Sequence, residues 1–135
     1  MPQASILLQA TQAIPLFEQF QETERVRNYR LWAVAIMANH IHLICRADKS
    51  VTGEKLLADF KSYGSRRLSI EGKPISGTWW TQSGSKRRLI GDESLLRAIR
   101  YTRTQFNPFL IWTTDVPELG YVAGLQVPSV SETKD

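Results

Sequence analysis

The stretch Leu31-Trp32-Ala33-Val34-Ala35-Ile36-Met37-Ala38-Asn39-His40-Ile41-His42-Leu43-Ile44-Cys45 decides the fold. It is apolar and β-prone, and it holds both histidines of the chain. Along a strand successive side chains alternate faces, so residues i and i+2 point the same way. His40 and His42 therefore share one face, while Ile41 points to the other, where Leu43 or its neighbours help anchor the strand in a core. Neutral imidazole nitrogens are good ligands for divalent metals, and two on one strand form half of a chelate. The same spacing also suits two hydrogen-bonded or surface side chains, so the pair needs a further ligand to become a metal site.

Working outward, Asn28 to Ile36 reads as a strand, Ala38-Asn39 as a bend or bulge, and His40 to Cys45 as the next strand or a continuation. Upstream, Gln12 to Arg25 has a helical pattern, with Pro15 favouring a start near that point. After the polar break Arg46 to Ser50, Thr52 can cap a helix running to about Leu68. Leu56, Leu57, Phe60 and Leu68 then face a core, and Lys55, Lys61 and Arg66 face solvent.

The segment Glu71 to Gly77 is turn-rich, and Thr78 to Ile90 reads as a short hairpin. Within it, Trp79 and Trp80 stand near the run Lys86-Arg87-Arg88. Such a pairing can stack bases and hold phosphates of single strands; equally, the indoles can be core and the run a solvated strand. Asp92 caps a last helix, Glu93 to about Phe106, whose expected buried stripe is Leu95, Ile99, Thr102 and Phe106. Tyr101 and Gln105, four apart, fall at the edge of that stripe on one face. Asn107-Pro108 ends the helix, and Phe109 to Trp112 adds a short apolar segment.

Composition bounds the function. With 135 residues, 42% of them apolar, the chain fits one domain with a real core. One cysteine, Cys45, forms no intrachain disulfide, which points to a reducing cytoplasm. Neither a signal peptide nor a membrane span is expected, because no basic n-region precedes a long apolar run. Lys plus Arg exceed Asp plus Glu by four, and the pI is about 9.5, which suits an anionic partner. The cations cluster at Lys61, Arg66 and Arg67, at Lys86 to Arg88, and at Arg97, Arg100 and Arg103.

Two motifs make a resemblance. Met37-Ala38-Asn39-His40-Ile41-His42-Leu43 resembles the Met-Pro-Asn-His-Val-His-Leu stretch of the one-tyrosine HUH single-strand endonucleases. Tyr101-Thr102-Arg103-Thr104-Gln105 resembles their Tyr-x-x-x-Gln or Tyr-x-x-x-Asn helix, and Trp80 to Arg87 is similar to their hairpin. The closest groups are the small insertion-sequence transposases and the REP-associated tyrosine transposases. The chain departs from them at Ala38, which stands for Pro, and at Asn107-Pro108, which falls two residues late. Only Ser5 to Gln9 could serve as the family's opening edge strand.

That resemblance implies an α+β, ferredoxin-like antiparallel sheet with helices packed on one side. It implies a catalytic domain over residues 1–115; beyond it, the Pro, Gly and Ser content suggests an irregular, partly disordered tail over 116–135. It further implies a metal-dependent single-stranded DNA nickase and strand transferase with Tyr101 as nucleophile. His40, His42 and Gln105 would be ligands to Mg²⁺ or Mn²⁺, and Lys61, Arg66, Arg67, Trp79, Trp80, Lys86, Arg87 and Arg88 would be DNA contacts. The expected partner is single-stranded or hairpin DNA, with a homodimer an option, no membrane, and a bacterial cytoplasmic, nucleoid-associated location. Tyr63, beside Arg66 and Arg67, is the competing nucleophile, but no amide or carboxylate follows it by four residues. The alternative function is a non-catalytic or domesticated module that binds hairpin or single-stranded DNA.

Overall fold

A computed structural model describes residues 8–72, 79–80 and 92–114. Its elements run α1 (Ala10–Arg27), β1 (Arg30–Ile36), β2 (Ile41–Arg46), α2 (Gly53–Ser69), α3 (Asp92–Arg103) and β3 (Leu110–Thr113). The mixed α+β class expected from the sequence is observed, with three strands in the antiparallel order β2-β1-β3. No described helix is long and apolar enough to cross a membrane. The expected tail, residues 116–135, lies outside the described residues.

β1 is the centre of this arrangement. Six of its seven residues, Leu31 to Ile36, are buried, because helices cover both faces of the sheet. Leu31, Val34 and Ile36 pack with Leu16, Phe17 and Phe20 of α1 and with Phe60 and Leu68 of α2. Trp32 and Ala33 instead pack with Ile99, Leu95 and Leu96 of α3. The helices are thus divided between two faces rather than gathered on one. A β-bulge makes the division possible: Leu31 pairs with Cys45 and Ala33 with Ile44, leaving Trp32 as the extra residue. Without it, strict alternation would put Leu31 and Ala33 on the same side.

β2 follows simple alternation. Ile41, Leu43 and Cys45 lie against the α1/α2 core, and Ile44 lies on the α3 side. Of the two readings of Ala38-Asn39, the chain reverses: Met37 N–H donates to the His40 carbonyl at 2.9 Å, closing a hairpin. The strand expected from Asn28 begins only at Arg30, because Asn28 takes a left-handed conformation (φ 61°) and ends α1. Glu24 ties the two elements together. Its carbonyl accepts from Tyr29 N–H at 2.9 Å and its carboxylate from Leu31 N–H at 2.8 Å.

α1 begins earlier than Pro15 suggests. The Gln9 N–H donates to Gln12 Oε1 at 2.7 Å, and Pro15 sits inside the helix. Proline cannot donate to the carbonyl four residues back, which here is that of exposed Thr11. α2 starts as read from the sequence, with Lys55 N–H donating to the Thr52 hydroxyl at 3.1 Å. It approaches α1 closely at Gly64, where a Cβ would meet Leu16 Cδ1 and Trp80 Cζ2, each at 3.1 Å. Both tryptophans are half-buried against this core. Trp79 Nε1 donates to Ser69 Oγ (3.0 Å), and Trp80 Nε1 to the Lys61 carbonyl (2.9 Å) and Ser65 Oγ (2.6 Å).

A buried acid fastens α2 to the start of β1. Asp59 accepts from the Tyr29 hydroxyl at 2.5 Å and pairs with Lys55 at 2.9 Å, with Arg27 at 3.7 Å. Burial alone pushes the Asp59 carboxyl up, but the hydrogen bonds from Tyr29 and Lys55 and the charges of Lys55 and Arg27 outweigh it and hold it below 3.8. Burial, then the hydrogen bond to Asp59 and its charge, push the Tyr29 phenol up to about 12. The proton therefore stays on Tyr29. Lys55, read as a solvent-facing residue, is exposed and paired at once.

Asp59→Ala should cost about 2 kcal/mol, the scale of a lost hydrogen bond to a buried charged group. Because the Asp59 value is depressed, its contribution is complete above 3.8 and is lost as pH falls through the folded value. Thermal melts from neutral pH downward should show wild-type stability converging on that of Asp59→Asn at the acid end. Parallel curves at every pH would contradict this account.

Candidate active site

β2 and α3 bring the candidate residues together from opposite ends of the sequence. His42 projects toward α3, where its ring meets that of Tyr101 edge-on, centroids 5.3 Å apart and planes at 77°. His40 immediately precedes β2 and is exposed. Its Nδ1 lies 2.8 Å from Asn39 Oδ1, an acceptor, so the neutral tautomer that suits this contact has its proton on Nδ1 and its lone pair on Nε2. Asn39 therefore orients a candidate ligand, a role signalled only by its position beside His40.

His42 is half-buried, and its Nε2 is the buried side-chain polar atom without a hydrogen-bond partner among the described residues. Such an atom carries a desolvation cost that a ligand would remove. Burial pushes the His42 pKa below the ordinary histidine value, and the neighbouring His40 acts in the same direction. The imidazole is held neutral, the form that donates a lone pair.

The end of α3 sets the remaining geometry and corrects two expectations. The helix stops at Arg103 rather than near Phe106. To extend it, Gln105 N–H would have to reach the Tyr101 carbonyl, but Thr104 already donates to that oxygen from N–H (3.1 Å) and from its hydroxyl (2.9 Å). Gln105 N–H turns instead to the Thr102 carbonyl at 3.4 Å. Gln105 consequently lies just past the helix rather than stacked on its face. Its side chain reaches back, with Nε2 donating to the Tyr101 carbonyl at 3.3 Å.

The second correction is Phe106. Ile99 and Thr102 are fully buried and Leu95 packs with them, as the helical spacing predicts. Phe106 is 82% exposed, because the stripe ends where the helix ends. Tyr101 is itself 60% exposed. Among the described residues no group of three His, Cys, Asp or Glu side chains is gathered.

Tyr63 is placed elsewhere. It lies on α2, across the sheet from α3, where its hydroxyl accepts from Arg27 at 3.2 Å. The guanidiniums of Arg27 and Arg66 approach its ring at 5.6 and 5.0 Å. Lys61 and Arg67 are half-buried on the same helix, and Arg66 is exposed. Lys86, Arg87 and Arg88 lie outside the described residues.

Compared with known families, residues 6–104 match the one described as Transposase IS200 like. No curated protein and no solved structure matches the chain significantly. The matched span holds His40, His42 and Tyr101 and ends one residue before Gln105. It covers well over half of the 135 residues and carries a general assignment, a transposase with DNA as its partner. The chain belongs to the IS200-like transposase family.

Proposed function

We propose that the protein is a metal-dependent single-stranded DNA endonuclease and strand transferase. In this reading Tyr101 is the nucleophile, and His40, His42 and Gln105 hold Mg²⁺ or Mn²⁺. The observation that carries it is the contact of the Tyr101 ring with His42, whose buried Nε2 has no hydrogen-bond partner among the described residues. The donor set fits a divalent cation by its chemistry: two imidazole lone pairs and an amide oxygen, with further positions open to phosphate and water. When bound, such an ion polarises a phosphate and favours its attack by a weak nucleophile.

The chain's own residues do the rest. His42, whose pKa burial lowers, presents a nitrogen without first losing a proton, and His40 is oriented by its contact with Asn39. Gln105, tied to the Tyr101 carbonyl, keeps its amide oxygen within the same turn as the phenol. The Tyr101 oxygen attacks the phosphorus in line. A bond from that oxygen to phosphorus forms as the bond to the 3′-oxygen breaks, the phenol proton leaves to solvent, and the 3′-oxygen takes one up. The products are a 5′-phosphotyrosine and a free 3′-OH, and a 3′-OH attacking in reverse rejoins the strand without an external energy source. Contact of His42 with Tyr101 inside one chain supports action in cis, whether or not a homodimer forms.

Lys61, Arg66, Arg67, Lys86, Arg87 and Arg88 supply phosphate contacts in this reading. Trp79 and Trp80 have their indole N–H groups committed to α2, so base contact falls to their ring surfaces.

Tyr101→Phe keeps the ring against His42 but removes the attacking oxygen, so DNA binding should persist while covalent adducts vanish. Tyr63→Phe should still form them. Incubation with a hairpin library and Mn²⁺, then peptide mass spectrometry, reads both outcomes. A nucleotide on the Tyr63 peptide would overturn the assignment, and no adduct with any hairpin would leave a DNA-binding module.

His40→Ala and His42→Ala should each abolish Mn²⁺-dependent nicking with the fold retained, and Gln105→Ala should raise the Mn²⁺ needed. Calorimetric titration giving equal Mn²⁺ affinity for wild type and the double histidine variant would remove the metal role.

A further inference from the structure

Four large apolar side chains are exposed among the described residues, Val26, Ile70, Tyr101 and Phe106, and the last two flank Gln105. Phe106 is the most exposed of them, at 82%. It is not on a loose loop. On one side Gln105 is held by bonds to the carbonyls of Thr102 and Tyr101. On the other, Asn107 adopts a positive φ of 51°, Pro108 restricts the chain, and Phe109 N–H donates to the Ile36 carbonyl at 2.8 Å. The backbone is pinned on both sides of a ring that no described residue covers.

Helix geometry adds a cation on the other side of the nucleophile. Arg97 is exposed and stands four residues before Tyr101, one turn away on the same face. Arg97 and Tyr101 thus share one face of α3, and Phe106, exposed like Tyr101, follows it by five residues just past the helix end. Alternation of cations with exposed aromatic rings is the surface chemistry that takes unpaired nucleotides, phosphate on the one and base on the other.

We propose that Phe106 is a stacking platform for an unpaired base of the strand held at Tyr101, with Arg97 meeting the backbone phosphate one turn before. This rests on the reading of the Tyr101 site as a single-strand site. It assigns the strand a path along α3 and makes Phe106 a residue that positions the nucleotide next to the attacked phosphate.

The test uses the full chain and a fluorescein-labelled pool of random single-stranded oligonucleotides, titrated over a range of salt concentrations. Phe106→Ala should weaken binding about tenfold or more, as for a lost base stack, with the salt dependence unchanged, and Phe106→Trp should restore it. Arg97→Ala should weaken binding and lower the salt slope by about one. The melting temperature of Phe106→Ala without DNA should equal that of wild type, since the ring is exposed. Unchanged affinity in Phe106→Ala would overturn the proposal. A lowered melting temperature, or a dimer converted to monomer in sedimentation, would overturn it too, because the ring would then be covered by this chain or by a second copy. Binding that depends on Phe106 without any covalent adduct would remove the nicking reaction and keep the stacking role. Adducts with binding unaffected by Phe106→Ala would do the reverse.

Discussion

The double-sided burial of β1 is the constraint on which the rest of the structure depends. A strand whose residues Leu31 to Ile36 are all buried needs cover on both faces, and the helices are distributed accordingly. α1 and α2 take the face of Val34 and Ile36, and α3 takes the face of Trp32 and Ala33. Because β2 pairs with β1 in fixed register, the choice of face for β1 also decides where the histidines point. Ala35 opposes His42, and the small alanine leaves that face room for the imidazole beside α3. The candidate site is therefore a consequence of how the central strand is covered.

Burial also gives His42 its chemical character. A surface imidazole would bind water through both nitrogens, whereas here Nε2 is enclosed without a partner and the ring is held neutral. The protein accepts a local cost at one atom beside an exposed phenol, while Asp59, the more deeply buried residue, is satisfied by Tyr29 and Lys55. An acid that is met on both oxygens serves the fold; a base that is left unmet invites a ligand.

Much of this was legible in local pattern. Alternation separated His42 from the core-facing Ile41 and Leu43, Thr52 announced α2, and helical spacing identified Ile99 and Thr102 as buried. What escaped was decided by bonds that pattern does not encode. The bulge at Trp32 depends on Glu24 reaching Leu31 and on two different cores competing for adjacent residues. The end of α3 depends on the Thr104 hydroxyl taking a carbonyl that the helix needed, which moved Gln105 off the helix and Phe106 out of the core. Propensity scales treat threonine as a modest penalty; here its side chain sets a boundary. For the candidate site, residue type and spacing single out His40, His42, Tyr101 and Gln105, and their roles belong to the proposal above.

The Glu24 clamp bears on the order in which the molecule assembles. α1, β1 and β2 are consecutive in the chain, joined by a hairpin and by a single glutamate that holds both the end of the helix and the start of the strand. Such contacts close short loops and cost little chain entropy, so this unit can form early. α3 and β3 arrive from far along the sequence and dock on a strand already paired on its other edge. The nucleophile candidate therefore rides on a late-docking unit, and the histidines on an early one. Partial opening of the molecule would separate Tyr101 from His42 while leaving the hairpin intact, giving the site a built-in dependence on completed folding.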